Sequence, residues 1–127
     1  MIVADTHIWI WWVAERHRLS RRALDVLTQE QVAVSVMTAY EVASLAARNR
    51  IVMDAPGPEQ LQEWLDETGT LVINVDTRIA LRAASLRRDV LRDPTDRLIV
   101  ATALHHNAQL VTADRKIQDA GLVATIW

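Results

Sequence analysis

The chain has no cysteine, and only one of its fourteen basic residues is a lysine. The lack of cysteine excludes disulfides, thiolate zinc sites and cysteine nucleophiles. Three glycines and no glycine-rich motif exclude a P-loop or dinucleotide-binding fold. No uncharged apolar run reaches the ~18 residues needed to span a membrane, and the first residues lack the basic region of a signal peptide. These absences predict a soluble cytoplasmic protein.

The size and composition fit one compact domain. The chain has 127 residues, half of them apolar, so it can bury a sizeable core without disulfides or cofactors. It contains no internal repeat and no linker-like segment. Its clear cluster of helix breakers, residues 55–58, is followed at once by a helical pattern, which indicates a turn inside a domain. We therefore expect a single domain over residues 1–127.

The charge pattern leaves the class of ligand open. A net charge of −2 does not indicate nucleic-acid binding, which usually leaves a basic footprint. Thirteen of the basic residues are arginines, however, and most of them fall into four groups along the chain. Arginine can bind phosphate through a bidentate fork, whereas lysine cannot. A solvated helical surface also explains these arginines, and composition alone favours that interpretation.

Short apolar strands alternate with helical patterns along the chain. Strands are predicted at 2–4, 32–35, 71–73, 109–112 and 123–126. Helices are predicted at 7–15, after Ser20, at 38–48, around 61–65, and at 79–91, 94–104 and 114–119. This alternation predicts an α/β fold whose mostly parallel sheet is covered by helices on both faces. Ligands of such sheets bind just beyond the carboxyl ends of the strands.

Four carboxylates are predicted at that edge of the sheet. Asp5 and Asp114 follow strands, Glu41 lies in the helix after the second strand, and Asp96 opens another helix. Each also has a structural explanation, as a helix cap, as half of a capping box with Thr38, or as a charge that complements a helix dipole. Several carboxylates in one crevice repel each other unless cations neutralise them. Oxygen donors suit Mg²⁺ or Mn²⁺, which activate water for attack on a phosphoryl group.

Four segments of the sequence resemble the motifs of PIN domains. They are IVADTH at 2–7, SVMTAYEVA at 35–43, RDPTDRLIVATA at 92–103 and LVTADR at 110–115. Their order and spacing are most similar to those of VapC-type toxins of VapBC toxin–antitoxin pairs, over essentially the whole chain. The resemblance implies a PIN-like three-layer sandwich, with a central twisted sheet between helices. It also implies a Mg²⁺- or Mn²⁺-dependent endoribonuclease that cuts single-stranded or structured RNA.

The resemblance assigns catalytic and metal-binding roles by position. The residues that match the acidic quartet of the family are Asp5, Glu41, Asp96 and Asp114. Candidate accessory residues in the same motifs are Asp93, Thr112, Thr6 and Arg97. Asp93 precedes a proline and could contact metal or only cap the helix that starts there. Thr112 could hold a carboxylate through its hydroxyl, or it could simply pack in its strand.

The resemblance also implies partners. Relatives are silenced by a cognate antitoxin whose segment lies across the active-site groove, often with an arginine against the acids, and they form homodimers. Trp9 is predicted to point away from the buried stripe that Ile8 and Trp12 share, so we expect it at a dimer or antitoxin contact. The alternative to an enzyme is a degenerate PIN fold kept for protein binding. Four intact acids argue against it, because a binding module has no need of carboxylates that repel each other.

Overall fold

The strands form one parallel sheet in the computed structural model, which describes residues 1–48 and 58–127. The strands are β1 (Ile2–Ala4), β2 (Val32–Ser35), β3 (Leu71–Ile73), β4 (Leu110–Val111) and β5 (Thr125–Ile126). They lie in the order β3-β2-β1-β4-β5, and every pairing between the described strands is parallel. The predicted α/β fold is thereby confirmed. All five strands end at the same edge of the sheet, and this edge is called the carboxyl edge.

Seven α-helices and one 3-10 turn (Arg16–Arg18) connect and cover the described strands. The helices are α1 (Thr6–Ala14), α2 (Arg21–Gln29), α3 (Val36–Ala47), α4 (Pro58–Glu67), α5 (Thr77–Ser85), α6 (Pro94–His105) and α7 (Arg115–Ala120). The turn predicted at residues 55–58 lies outside the described residues except for Pro58, where α4 begins. None of the described helices is long and apolar enough to cross a membrane.

The sheet divides the hydrophobic core into two parts. Alternate residues of a strand point to opposite faces, so Ala4 packs in one cluster with Ile8 of α1 and Leu27 of α2. Val3 packs in the other cluster with Ile99 of α6. Helices therefore cover both faces, which gives the three layers that the sequence predicted. The arrangement leaves the carboxyl edge as the place where loops and helix starts from both layers meet.

Two helix boundaries differ from the sequence prediction. Helix α3 starts at Val36, because the buried Ser35 hydroxyl accepts a hydrogen bond from the Met37 N–H at 3.2 Å and caps it. Thr38 is therefore an interior residue of the helix, and the predicted capping box between Thr38 and Glu41 is wrong. Helix α5 ends at Ser85 instead of continuing to residue 91. The chain after it turns, and its carbonyl groups bind a buried arginine described below.

The prediction that Trp9 contacts a partner is also wrong. Trp9 is only 1% exposed, and its indole N–H donates a hydrogen bond to the Thr70 hydroxyl at 3.0 Å. Helix α1 is buried on more than one stripe, because the segment that joins α4 to β3 carries Thr70 over its other side. A helical wheel of α1 alone cannot show this cover, so the sequence pattern suggested a free face. The tryptophan belongs to the core.

Candidate active site

The predicted acids reach the carboxyl edge from separate elements. Asp5 follows β1 and caps α1, whereas Asp114 follows β4 and caps α7. Glu41 lies in the second turn of α3. Asp93 caps α6, and Asp96 lies in the first turn of that helix. The structure brings these five side chains close enough together for the negative charges of the other four to act on Asp96.

Asp5 is held in place by hydrogen bonds although it is buried. Its Oδ2 accepts a hydrogen bond from the Thr112 hydroxyl at 2.7 Å, and its Oδ1 accepts one from the Thr6 N–H at 2.8 Å. Burial raises the pKa of the Asp5 carboxyl above its ordinary value, the two hydrogen bonds oppose this rise, and the charge of Asp114 adds to it. The Thr112 hydroxyl also accepts a hydrogen bond from the Asp114 N–H at 3.1 Å. Thr112 thus links two acids of the cluster.

Glu41 is held by a second threonine. The Thr6 hydroxyl donates to Glu41 Oε1 at 2.8 Å, and the Thr38 hydroxyl lies 3.2 Å from the Thr6 hydroxyl. Burial raises the pKa of Glu41, and the charges of Asp5 and Asp93 raise it further. Thr38 was missed as a site residue. Its position three residues before Glu41, on the same face of one helix, is the signal that could have found it.

The remaining acids line an open cleft of about 570 Å³. Asp93 Oδ1 accepts a hydrogen bond from the Asp96 N–H at 3.0 Å, so the predicted cap of α6 is confirmed. Asp114 Oδ1 accepts one from the Lys116 N–H at 2.8 Å and caps α7 in the same way. The cleft also carries two basic side chains, Arg92 and Lys116. It therefore presents charges of both signs at the start of two helices.

The charges of the other four acids all act on Asp96. Burial and, in decreasing order, the charges of Asp93, Asp5, Asp114 and Glu41 together raise the pKa of its carboxyl to about 7. Within the described residues, no hydrogen bond to this carboxylate offsets the rise. Near neutral pH, Asp96 is thus divided between its charged and neutral forms. Strongly shifted acids in a cleft are typical of functional sites.

Comparison with known proteins identifies the family. Residues 2–122 match the PIN domain family. The chain belongs to this family. Ribonuclease VapC22 of Mycobacterium tuberculosis is 34% identical to this PIN domain over 118 residues, which cover 92% of this chain and 89% of that protein. The resemblance inferred from the four sequence motifs is confirmed.

Solved structures agree with this assignment. A toxin–antitoxin complex from Klebsiella pneumoniae matches this PIN domain with a TM-score of 0.70 and 26% identity, covering 100% of this chain and 97% of that one. VapBC2 from Rickettsia felis, bound to a DNA fragment from its promoter, matches with a TM-score of 0.71 and 18% identity, covering 99% and 98% of the two chains. The second match shows the fold alone. The predicted PIN-like architecture is confirmed.

Arg97 points away from the acids of the PIN domain. Its guanidinium is buried and donates hydrogen bonds to the carbonyl groups of Ala83 at 2.8 Å, Leu86 at 2.6 Å and Leu91 at 2.6 Å, with a longer one to Ala84 at 3.2 Å. Arg97 therefore ties the first turn of α6 to the end of α5 and to the chain that follows it. This corrects its prediction as an accessory residue of the site, because its donors are used by backbone carbonyls.

The cluster fits a divalent cation in donor type and in charge. Its side chains offer hard carboxylate oxygens, and burial together with the charges of neighbouring carboxylates raises the pKa values of Asp5, Glu41 and Asp96. In residues 1–48 and 58–127, no group of three Asp, Glu or His side chains already has the spacing of a metal site. The wider separation of the carboxylates agrees with their mutual repulsion. Hydrogen bonds to threonines and to helix N–H groups hold them in these positions.

Proposed function

We propose that this PIN domain is an endoribonuclease and the toxin of a type II toxin–antitoxin pair. The observation that carries the proposal is that the charges of Asp5, Glu41 and Asp114 all act on Asp96, whose pKa is about 7. Asp96 and Asp114 line one cleft, which gives these acids an opening to a substrate. Asp96 is half-buried, and no hydrogen bond from the described residues offsets the cost of burying its carboxylate. A purely structural role gives no reason for such an acid. The similarity to a ribonuclease from Mycobacterium tuberculosis supports RNA as the substrate class.

The same four carboxylates would hold Mg²⁺ or Mn²⁺. When bound, the cation supplies the positive charge that activates water for attack on phosphorus and that stabilises the phosphoryl oxygens. The fit rests on the oxygen donors and on the repulsion between carboxylates that, after burial, raises the pKa of Asp96. A bound cation would offset this repulsion, so it would lower the pKa of Asp96 and favour the ionised carboxylate as a ligand.

The chain itself positions the carboxylates and binds the backbone of the RNA. The Thr112 and Thr6 hydroxyls fix the orientation of Asp5 and Glu41 through the hydrogen bonds of 2.7 and 2.8 Å. Arg92 and Lys116 line the cleft beside the acids, where they can pair with phosphates on either side of the bond to be cut. This explains how a chain of net charge −2 can bind a polyanion.

Cleavage of RNA by the purified protein tests the proposal. Labelled RNAs are incubated with Mg²⁺ or Mn²⁺, with EDTA as the metal-free control, and product is measured for wild type, Asp96→Asn and Asp25→Asn. Asp25 is an exposed acid of α2 that does not line the cleft, so it is the matched control. We expect metal-dependent cleavage that falls ~10²-fold or more in Asp96→Asn and stays unchanged in Asp25→Asn.

Two other outcomes count against the proposal. Equal cleavage by wild type and Asp96→Asn would mean that the activity arises elsewhere or is a contaminant. If all three proteins are inert on a broad RNA panel but still bind a partner, the chain is a protein-binding PIN module. These outcomes separate the nuclease from the degenerate fold considered above.

We further propose that a cognate antitoxin silences the site with a basic segment. The cleft is lined by five carboxylates, namely those of Asp89, Asp93, Asp96, Asp114 and Asp119. An arginine-containing segment would complement them, and the similarity to a toxin–antitoxin complex supports such a partner. An arginine-rich peptide should therefore inhibit cleavage, and Asp96→Asn should weaken its binding. Unchanged peptide affinity in that variant would argue against this contact.

We also propose a single domain that forms a homodimer, because two-fold association is the commonest oligomeric state. Light scattering coupled to size-exclusion chromatography measures the mass in solution. A monomer at micromolar concentration would contradict the dimer.

A further inference from the structure

Aromatic and basic side chains form a patch on the surface of α1 and beyond β5. The patch consists of His7, Trp11, Arg18 and Trp127 and is called the aromatic patch. The Trp11 ring centroid lies 6.0 Å from that of Trp127 and 6.2 Å from that of His7. The Arg18 guanidinium carbon lies 4.7 Å from the Trp11 ring centroid. Trp11 is thus in contact range of three other members of the patch.

The aromatic patch lies at the same edge of the sheet as the carboxylates. β5 runs parallel to β4, and the Ile126 carbonyl accepts a hydrogen bond from the Thr112 N–H at 3.1 Å. Trp127 follows directly, so it lies at the carboxyl edge beside the residue that holds Asp5. On the other side, His7 lies in the first turn of α1, two residues after Asp5. Trp127, which follows β5, and His7, at the start of α1, therefore both place the patch next to the acids.

Part of the surface of the Trp11 and Trp127 rings is exposed to solvent. Trp127 is 39% exposed and Trp11 is half-buried, whereas Trp9 and Trp12 of the same region are buried in the core. His7 and Arg18 are exposed as well. The exposed indole of Trp127 lies next to Trp11, which carries the Arg18 guanidinium. Such a surface favours an unpaired base, because every base offers a π-face and a nearby cation attracts the adjacent phosphate.

We propose that the aromatic patch is a base-stacking subsite for single-stranded RNA, which selects the phosphodiester that reaches the carboxylates. In this subsite an unpaired base stacks on the exposed Trp127 ring beside Trp11, and Arg18 contacts a neighbouring phosphate. The inference rests on the proposed function, since it assigns a binding place to the RNA of that same site. It adds a substrate contact on α1 and beyond β5 to the contacts inside the cleft.

The charge of the region favours RNA over a basic protein segment at this place. The turn before α2 carries Arg16, His17 and Arg18, and Arg16 lies 5.8 Å from the Trp12 ring centroid. Glu15 pairs with Arg18 at 3.1 Å and offsets only part of this charge. A basic antitoxin segment complements the acidic cleft but is repelled here, whereas a polyanion is attracted. The two ligands therefore fit different parts of the surface.

Binding of an RNA octamer tests the subsite without relying on cleavage. Fluorescence anisotropy and quenching of tryptophan fluorescence are measured with EDTA present, for a labelled single-stranded RNA and for an abasic octamer of the same charge. The variants are Trp127→Leu, which keeps apolar bulk but removes the ring, and Trp127→Phe, which restores a ring. Leu81→Ala is the matched control, because Leu81 is an exposed apolar residue of α5.

We expect Trp127→Leu to raise the Kd for the RNA about 5- to 100-fold, which is the range for loss of one stacked base. Trp127→Phe should recover most of the affinity, and Leu81→Ala should have the affinity of wild type. Binding of the abasic octamer should not change in any of these variants. Thermal melting of each variant verifies that it is folded.

Three results would overturn the subsite. The first is an RNA affinity that is unchanged in Trp127→Leu. The second is an equal loss for the abasic octamer, which would leave only a phosphate contact. The third is a loss of affinity for an antitoxin peptide alone, which would make the patch a protein interface.

The subsite and the proposed ribonuclease activity can fail separately. Ring-dependent binding by a protein that cuts no RNA would support the subsite and contradict the nuclease. Metal-dependent cleavage by wild type, together with an RNA affinity that is unchanged in Trp127→Leu, would support the nuclease and contradict the subsite.

Discussion

The two halves of the acidic cluster are held by different means. In the first half, Asp5 and Glu41 are fixed through their own carboxylates, which accept hydrogen bonds from the Thr112 and Thr6 hydroxyls. In the second half, Asp93, Asp96 and Asp114 are placed by the backbone, because they lie at or near the starts of two helices. Asp96 differs from all the others, since no described residue donates a hydrogen bond to its carboxylate.

This difference separates Asp5 and Glu41, whose carboxylates are held by hydrogen bonds, from Asp96, whose carboxylate accepts none from the described residues. Hydrogen bonds to Asp5 and Glu41 stabilise their charged forms and oppose the effect of burial. Asp96 has no such support, and burial together with the charges of four neighbouring carboxylates raises its pKa to about 7. The threonines therefore hold one half of the site in place, and under the proposed function a bound cation would complete the other. The predictions below test this division.

Loss of Arg97 should have the largest effect, because this residue anchors the second half. Arg97→Ala removes the donors to the carbonyl groups of Ala83, Leu86 and Leu91. Leaving such buried acceptors unpaired should lower the free energy of unfolding by about 3 kcal/mol or more. Urea unfolding measures this change, with Arg97→Lys expected to be intermediate because one ammonium cannot replace the fork. Wild-type stability combined with lost cleavage would instead place Arg97 in the chemistry.

Loss of the Thr112 hydroxyl should have the next largest effect and should act on the first half. Thr112→Val keeps the shape of the side chain but removes the 2.7 Å hydrogen bond to Asp5. A hydrogen bond to a charged group contributes about 1.5–3 kcal/mol, so RNA cleavage should fall roughly 10- to 100-fold. Thr112→Ser retains the hydroxyl and serves as the control.

The same comparison can be made between the two threonines. Thr6→Val removes the hydrogen bond to Glu41, which is less buried than Asp5. Its effect on cleavage should therefore be smaller than that of Thr112→Val. If Thr112→Val cuts RNA at the wild-type rate, the first half is not held by threonine hydroxyls.

The sequence predicted the sheet and the acids because both depend on local patterns. Apolar runs such as Val32–Ser35 mark the strands, and caps such as Ser20 and Asp93 mark helix starts through residues close in sequence. Since the ends of parallel strands meet at one edge, Asp5 and Asp114 could be placed together before the structure was known.

The errors arose where a residue is governed by distant parts of the chain. Trp9 is covered by Thr70, and Arg97 binds the carbonyls of Ala83 and Leu86, eleven to fourteen residues earlier. Neither contact leaves a periodic signal in the sequence. Thr38 was misread for another reason. Both Ser35 and Thr38 can cap a helix, and the hydrogen bonds decide between them, because the Ser35 hydroxyl accepts from the Met37 N–H whereas the Thr38 hydroxyl lies beside that of Thr6.

Asp93 offers a smaller test, because its cap and its charge can be separated. Asp93→Asn keeps an acceptor for the Asp96 N–H, whereas Asp93→Ala removes it and should lower the free energy of unfolding by about 1 kcal/mol. We expect Asp93→Asn to cut RNA close to the wild-type rate, since the exposed side chain acts through its cap. A strong loss of activity in Asp93→Asn with unchanged stability would indicate that its charge contacts the metal.

The smallest expected effect is a pH dependence of stability caused by Asp96. In the folded protein without metal its pKa is about 7, well above its ordinary value of 3.8, so the folded state binds this proton more tightly than the unfolded state. Below the unfolded pKa both states are protonated and no penalty exists. As pH rises through the interval up to about 7, the unfolded state loses its proton first, and the free energy of unfolding falls.

Denaturant titrations in EDTA from about pH 5 to about pH 8 measure this slope. This range covers the upper part of the interval and extends roughly one unit above the folded pKa. Asp96→Asn should flatten the slope and Asp25→Asn should not, because Asp25 lies outside the cluster. Partial exposure of Asp96 screens the effect, which is why it ranks last. Addition of Mg²⁺ should also flatten the wild-type slope, since a cation offsets the neighbouring carboxylates. A slope that survives in Asp96→Asn would assign the crowding of charge to Asp5 and Glu41, whose pKa values are raised as well, and would end the proposed division between the two halves.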